Sequence, residues 1–295
     1  MTDTAQSSIL PGAPRVGRYL CFNLTPDADP ADIVSVLQAL VMDERLTVGL
    51  GEPLVAYLKG SIPGLRTFPA LSGPGVQVPS TQHALWCWLR GDDRGDLVKF
   101  SIAITDALEP VFELQDTVDG FKHGDEPLGK DLTGYEDGTE NPTGDEAVEV
   151  AFVAEGDMAG SSFVAVQQWV HDLRTFGGMP QDEQDSIIGR RLSDNSEIEE
   201  APESAHVKRT EQESFDPEAH VLRRSMPFAG FEGEGLMFVA FGNTLDAFEV
   251  QMRRMVGEED GITDALFRFS QPVSGAYYWC PPVAGEQLNL SAIGH

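Results

Sequence analysis

A regular alternation of strand-like and helix-like segments constrains this chain more than any other feature. Residues 16–24 (VGRYLCFNL) have the apolar, aromatic content of a strand. Asp29-Pro30 supplies a helix N-cap and a first-turn proline, and Ile33, Val36, Leu37, Leu40 and Val41 follow at helical spacing. Residues 83–89 (HALWCWL) read as a second strong strand. Gly91-Asp92 opens another helix, with Leu97, Phe100, Ile104 and Leu108 on one face and Pro110 beyond its end. Residues 111–114 read as a short strand. Strand, helix, strand, helix, strand is the order of a split β-α-β unit with antiparallel sheet, the ferredoxin-like arrangement. Between the first helix and the second strand, residues 45–80 are rich in glycine and proline and read as one long connection, of the kind that often carries function.

The rhythm then returns. Residues 148–153 and 162–170 read as strands, 180–189 as a helix burying Ile187 and Ile188, and 236–241 (LMFVAF) as a central strand. Residues 192–218 are acidic and irregular. Thr244 caps a helix with Leu245, Phe248, Met252 and Met255 on one stripe. Methionine is a common gap-filler, so this stripe is expected in the core rather than in a cofactor box. The halves share no alignable repeat. Their common rhythm predicts an α+β fold of two ferredoxin-like units, with antiparallel sheets packed as a dimeric α+β barrel that leaves a cleft. Residues 1–14 are expected to be a disordered lead-in, 15–146 the N-terminal unit, 147–284 the C-terminal unit and 285–295 a tail.

Charge narrows the partners. Lysine and arginine number 20 against 48 acids, so the formal charge is 20 − 48 = −28. Such a surface repels phosphate backbones, which argues against nucleic acid. Cys21, Cys87 and Cys280 lie far apart without a C-x-x-C spacing, so neither a disulfide framework nor a zinc site is indicated. No basic start followed by an apolar run marks a signal peptide, and no apolar stretch reaches membrane-spanning length. A reducing cytoplasm fits, with no membrane partner.

The stretch 134–142 (GYEDGTENP) is too polar and glycine-rich for a core element. Gly134 and Gly138 permit a tight backbone around Asp137, and Asn141-Pro142 closes the segment in an extended conformation. An acid on a stiff loop with little bulk beside it suits close approach to a flat ligand. Alone, so short a motif more often marks an acidic surface turn or a calcium loop.

A flat cofactor also needs an axial ligand. Of six histidines, His83 at a strand start and His171 at a strand end read as structural; His123 lies on a turn and His295 ends the sequence. His206 and His220 lie in the irregular region between elements, where ligands are often presented.

Taken in order, GYEDGTENP at 134–142, FVAVQQWVHD at 163–172, Ile188-Gly189-Arg190, Ser204-Ala205-His206-Val207, Leu222-Arg223-Arg224-Ser225-Met226-Pro227-Phe228 and FSQPVSGAYY at 269–278 resemble the dye-decolorizing peroxidase family, in its bacterial B class. The resemblance runs from about Val16 to Pro282. It implies two ferredoxin-like units, with haem b (iron protoporphyrin IX) bound by the C-terminal one. It implies that His206 is the axial ligand to haem iron, Asp137 the distal acid and Arg223 the distal arginine. Arg190 matches a residue near the haem propionates. Asp264 matches the acid that takes the axial histidine's other ring N–H; a helix-start cap is the alternative for it. Ser225 stands where some members carry Asn, and Glu140 matches a position proposed for manganese in a relative.

The implied chemistry has a physical basis. Peroxide must lose a proton from one oxygen and leave from the other. A carboxylate near the iron can move that proton, while an arginine stays cationic and can stabilise the departing oxygen. An ordinary aspartate, with a pKa of about 3.9, remains a base in mild acid, where a histidine of pKa about 6.5 is protonated. The resemblance thus implies a peroxidase that uses hydrogen peroxide to oxidise dyes, phenols or similar small-molecule donors through a ferryl intermediate. Electrons from bulky donors would leave through aromatic residues; Trp86, Trp88, Trp169, Trp279 and Tyr278 are candidates, although most lie in apolar strands, where core packing is the default. A haem-binding or haem-handling protein is the alternative from another class. A chlorite-dismutase-like enzyme is disfavoured by the Gly-x-x-Asp-Gly loop. A homo-oligomer is expected, and the resemblance makes an encapsulin shell a further candidate partner, since some relatives use C-terminal tails as cargo tags. Residues 288–294 have some apolar character, and a disordered tail is the alternative.

Overall fold

The computed structural model describes residues 4–124, 129–231 and 233–295. Its strands alternate between two cores. In β1 (Val16–Leu24), Leu20 and Phe22 join one cluster while Tyr19 joins another. β2 (Leu46–Leu50) and β3 (Leu85–Gly91) follow; in β3, Leu85, Cys87 and Leu89 face the first cluster, Trp86 and Trp88 the second. Burial on both faces is why 83–89 reads as an unbroken apolar run. β4 (Phe112–Phe121), β5 (Ser162–His171), β6 (Met226–Gly230), β7 (Gly233–Gly242) and β8 (Ala276–Cys280) complete the set.

Antiparallel pairing gives the order β2-β3-β1-β4 in the first half and β6-β7-β5-β8 in the second, the same ferredoxin-like order in both halves. Gly120↔Phe228 joins β4 to β6 and Trp279↔Leu50 joins β8 to β2, which closes an eight-stranded barrel. The expected fold of two ferredoxin-like units in an α+β barrel is therefore present. Stacked Tyr19, Trp86, Trp88 and Tyr278 fill the interior with Phe241. The outer faces carry helices. α1 (Pro30–Ala39) starts at its proline, with the Asp29 carboxylate accepting from Ala31 N at 2.8 Å. α2 (Arg94–Leu108) is capped by Asp93, one residue later than expected, and buries Leu97, Ile104 and Leu108.

Four local expectations are corrected. Residues 45–80 contain β2, a helix at Glu52–Tyr57 and a small hairpin, Leu71–Gly73 with Val76–Val78. The glycines that suggested a loop include Gly49, inside β2, where a Cβ would lie 2.7 Å from the Tyr278 Cβ. Residues 148–153 are not a strand. Residues 148–151 belong to α3 (Gly144–Ala151), whose buried positions Ala147 and Ala151 are one helical turn apart, and 152–153 leave it. The junction expected after residue 146 thus falls within a helix. The tail is packed, with Leu288, Leu290 and Ile293 buried in the main core.

The lead-in is packed too. Gln6 Nε2 donates to Val48 O at 2.9 Å and to Pro281 O at 3.0 Å, and Gln6 Oε1 accepts from Val48 N at 2.8 Å. One side chain thus pairs with β2 and with the residue just beyond β8, at the seam where those strands share few ladder bonds. Ser8 Oγ adds bonds to Leu46 O and the Thr47 hydroxyl. An isolated polar segment looks disordered because these partners are far away in sequence.

Candidate active site

Period two also builds the main cavity. Gln167, Trp169 and His171 of β5, with Leu236 and Phe238 of β7, line its floor on the outer face of the second sheet. Helices cover them. Ile188 comes from α4 (Gln181–Ile188), His206 and Val207 from α5 (His206–Arg209), and Phe248, Met252 and Met255 from α6 (Asp246–Met255). The methionine stripe is therefore core, as expected, and also cavity wall. The mouth is ringed by Glu136, Glu140, Glu197, Glu211 and Glu213.

The loop at 134–142 hangs over this cavity. Gly134 and Gly138 have φ of +93° and +90°, a region that favours glycine. At Gly138 a Cβ would also lie 2.5 Å from the Asn141 amide nitrogen. Tyr135 is buried and anchors the loop to α4: its hydroxyl donates to Asp185 at 2.5 Å and accepts from Gln181 at 3.1 Å. Burial, and then the hydrogen bond to Asp185, push the Tyr135 phenol well above its ordinary value. Asp137 projects into the cavity from this frame, with Oδ1 at 3.5 Å from an Arg223 guanidinium nitrogen. That separation is too long for a strong hydrogen bond and leaves both groups with unused capacity.

Arg223 is held through its backbone. Its N–H donates to Asn141 Oδ1 at 2.7 Å, and its carbonyl accepts from Asn141 Nδ2 at 3.2 Å. Asn141 thus clamps the arginine to the loop that carries Asp137. From sequence it was only the residue before a proline; the clamp spans 82 positions and leaves no local signal.

His206 opens α5. Its Nδ1 lies 2.8 Å from Asp264 Oδ2, and the Asp264 side chain is fully buried. Asp264 Oδ1 accepts from Leu266 N at 2.8 Å, so one oxygen faces His206 and the other caps the helical turn that follows. The backbone bond from Ala265 N to Ser204 O, 2.7 Å, docks the two segments. Nε2 of His206 has no protein partner among the described residues, on a ring that lines the cavity.

The remaining expected residues separate. Arg190 lines the cavity and pairs with Glu140 at 2.6 Å and Glu197 at 3.5 Å. Ser225 does not line the main cavity. Its Oγ accepts from Val239 N at 3.3 Å, and it borders a second cavity with Asp137, Arg223, Arg224 and the backbone near Gly12. His220 stays outside the main cavity, 2.9 Å from Glu218. All the aromatic candidates are buried, and of them only Trp169 reaches the main cavity.

One cluster is new. His171, expected to be structural, lines the cavity with Nδ1 at 2.7 Å from Ser270 Oγ and Nε2 at 3.2 Å from Asp131 Oδ2. Thr133 donates to Asp131 through its backbone N–H and its hydroxyl. Burial raises the Asp131 carboxyl, but the bonds and charge from His171, with those from Thr133, more than offset it and hold the group below the usual range. A depressed carboxylate contributes stability above its unfolded pKa, about 3.9, which is lost as pH falls through the lower folded value. Asp131→Asn should therefore lower the melting temperature at pH 7, and the gap to the parent should close below about pH 4. A gap that stays constant down to pH 3 would show that the carboxylate charge contributes nothing.

The comparisons agree with this geometry. The family model described as Dyp-type peroxidase, C-terminal, matches residues 129–285, which hold all the cavity residues named above. The dye-decolorizing peroxidase of Mycobacterium tuberculosis is 30% identical over 227 residues, 74% of this chain and 67% of that protein. The chain belongs to the Dyp-type peroxidase family. A dye-decolorizing peroxidase of Rhodococcus erythropolis is 30% identical over 226 residues, 74% of this chain and 65% of that protein. The match thus spans about two-thirds of the length of these curated relatives. Among solved structures, a dye-decolorizing protein from V. cholerae superposes with a TM-score of 0.84 at 29% identity, covering 94% of this chain and 97% of that one. DyPB from Rhodococcus jostii RHA1 gives 0.84 at 27% identity, over 93% and 95%. A variant of it, solved in complex with haem, gives 0.82 at 27%, over 92% and 94%.

As a Dyp-type peroxidase the chain is a haem-dependent enzyme, and its cavity fits that group. Trp169, Leu236, Phe238, Phe248, Met252 and Met255 give it an apolar side, one imidazole has a nitrogen uncommitted among the described residues, and its other nitrogen is held by a buried carboxylate. Among the described residues no helix is long and apolar enough to cross a membrane.

Proposed function

We propose that the cavity is the peroxide-activating site, with His206 as the residue that would hold haem b through Nε2 and Asp137 and Arg223 as the groups that act on peroxide. The carrying observation is that Asp137 and Arg223 meet 3.5 Å apart in the cavity that His206 lines. A haem-handling protein needs a ligand but has no use for a paired acid and cation.

Haem supplies the redox chemistry when bound. Asp264 fixes the tautomer of His206 and makes its free nitrogen a stronger donor. Asp137 takes a proton from one peroxide oxygen and delivers it to the other. Arg223, permanently cationic, stabilises charge on the departing oxygen. Arg190 stands where it could meet a cofactor carboxylate, at the cost of its contacts with Glu140 and Glu197. Dyes and phenols are the donors this reading favours. The three free cysteines fit the reducing cytoplasm in which we place the enzyme. A homo-oligomer belongs to the same proposal, with exposed Val41 and Ile102 as apolar surface for it. An encapsulin tag does not, since the C-terminal apolar residues are buried.

Haem-loaded protein should show a Soret band that peroxide changes, and dye oxidation should be faster in mild acid than at neutral pH, because the base is an aspartate. The check is peroxide kinetics followed by stopped flow, separately from dye turnover, across pH. A protein that takes up no haem, or whose peroxide step speeds up only above neutrality, would defeat the assignment.

A further inference from the structure

Arg224 turns away from the main cavity and meets the N-terminal strap. Its Nε donates to Ile9 O at 3.2 Å, and its Nη2 donates to Leu10 O. Arg90 grips the same strap, donating to Ser8 O at 2.7 Å, Pro11 O at 3.2 Å and Gly12 O at 2.5 Å. Five successive carbonyls, 8 to 12, therefore face two guanidiniums. Neither arginine has a carboxylate partner among the described residues. Burial brings both down to about 10, and for Arg224 the neighbouring Arg90 charge adds to the effect. Arg90 is buried and stacks over the Trp88 ring at 4.5 Å, while Arg224 is half-buried. Two such cations without a bonded carboxylate are more than a strap needs, because Gln6 and Ser8 already tie it to β2.

The third arm of Arg224 shows what else it does. Nη1 donates to the carbonyl of Arg223 at 2.8 Å. That carbonyl also accepts from Asn141, and the Arg223 N–H donates to Asn141. The backbone on both sides of the Arg223 Cα is thus gripped from the loop side by Asn141, while the carbonyl is gripped from the strap side by Arg224, beside the strand bond from Arg224 N to Val239 O at 2.8 Å. The Arg223 side chain, by contrast, has only the loose ion pair with Asp137 among the described residues. A long side chain with so little of its own holding must be aimed from its backbone.

We propose that Arg224 is a positioning residue for Arg223, with the strap at 8–12 as its anchor. The strap sets Arg224, Arg224 sets the Arg223 carbonyl, and the carbonyl sets the direction from which the guanidinium meets Asp137. Arg90 holds the strap and, among the described residues, has no hydrogen bond to Arg223, so it separates this role from simple stability. The inference rests on Arg223 acting on peroxide, and the test reads the link apart from that reading.

The test compares Arg224→Met, Arg224→Lys and Arg90→Met in the full chain. In haem-free protein, amide exchange at Arg223 should rise about tenfold or more in Arg224→Met, because the carbonyl of the same residue loses the Arg224 side-chain bond and the segment opens more often. In haem-loaded protein the second-order rate with hydrogen peroxide should fall roughly 10- to 100-fold in Arg224→Met, with haem affinity within about twofold of the parent. Arg90→Met should stay within about threefold in rate even where it melts as early. Arg224→Lys has one compact ammonium, which cannot span both the strap and the Arg223 carbonyl, so its rate should fall at least roughly fivefold. Should Arg224→Met fail to fold, the Lys variant decides. Parental rates in the Lys variant, equal rate losses in Arg90→Met and Arg224→Met, or unchanged exchange at Arg223 would each overturn the inference.

Discussion

His206→Ala should lose the Soret spectrum of the parent and weaken haem binding by two orders of magnitude or more, since even outer partners of a ligand are worth roughly 10–100-fold. Added imidazole should restore part of the spectrum by filling the space left by the ring. His220→Ala should keep both spectrum and affinity. The two histidines are 14 positions apart in one irregular region, and composition does not choose between them. Geometry does. An axial ligand and a distal arginine must approach a macrocycle from opposite faces, and His220 is only three residues before Arg223. Three extended residues span roughly 10 Å, too little chain to pass around such a group. In the fold, His206 lines the cavity and is braced by Asp264, while His220 pairs with Glu218 outside it. Haem titration of the two variants checks this; tight binding by His206→Ala with loss in His220→Ala would reject the assignment and the order of motifs with it.

Arg223→Ala should slow the peroxide step by about 10²–10³, the usual cost of removing one positioned charge donor from a developing anion. Haem affinity should change far less, because Arg223 would act on peroxide and not hold the cofactor. The measurement is the bimolecular peroxide rate by stopped flow, beside a haem titration of the same variant. The fold makes the choice between adjacent arginines concrete. Arg223 enters the cavity and faces Asp137, whereas Arg224 faces the strap carbonyls. A larger loss in Arg224→Ala than in Arg223→Ala would reverse these roles. A peroxide rate untouched in both would remove arginine from the chemistry and leave Asp137 to act alone.

Much of this was legible in the chain because it is local. Strand and helix alternation is a property of neighbouring residues, so β1, α1, β3, α2 and β5 could be placed from apolar spacing and caps. The left-handed glycines around Asp137 follow from the same short-range rules, and the order of motifs named His206, Asp137, Arg223 and Asp264 before any geometry was known. Reading failed where short-range cues conflict with long-range packing. Gly49 looks like a loop residue until Tyr278 lies against it; Val148 and Val150 suggest period two, while Ala147 and Ala151 are the buried pair.

Only the tertiary structure could decide the partners. Asn141 and Arg223, Asp131 and His171, Arg224 and the strap are separated by 82, 40 and more than 200 positions. A hydrogen bond across such a distance depends on where the barrel closes, and nothing near either residue in sequence reports it. For the same reason residues 4–13 look free of structure when read alone, yet their carbonyls accept from buried Arg90 and half-buried Arg224. What the amino-acid sequence determined was most of the strand and helix alternation and which side chains are candidates for the chemistry. What the fold decided was which backbone each of those side chains leans on, because that follows from chain closure and not from neighbours.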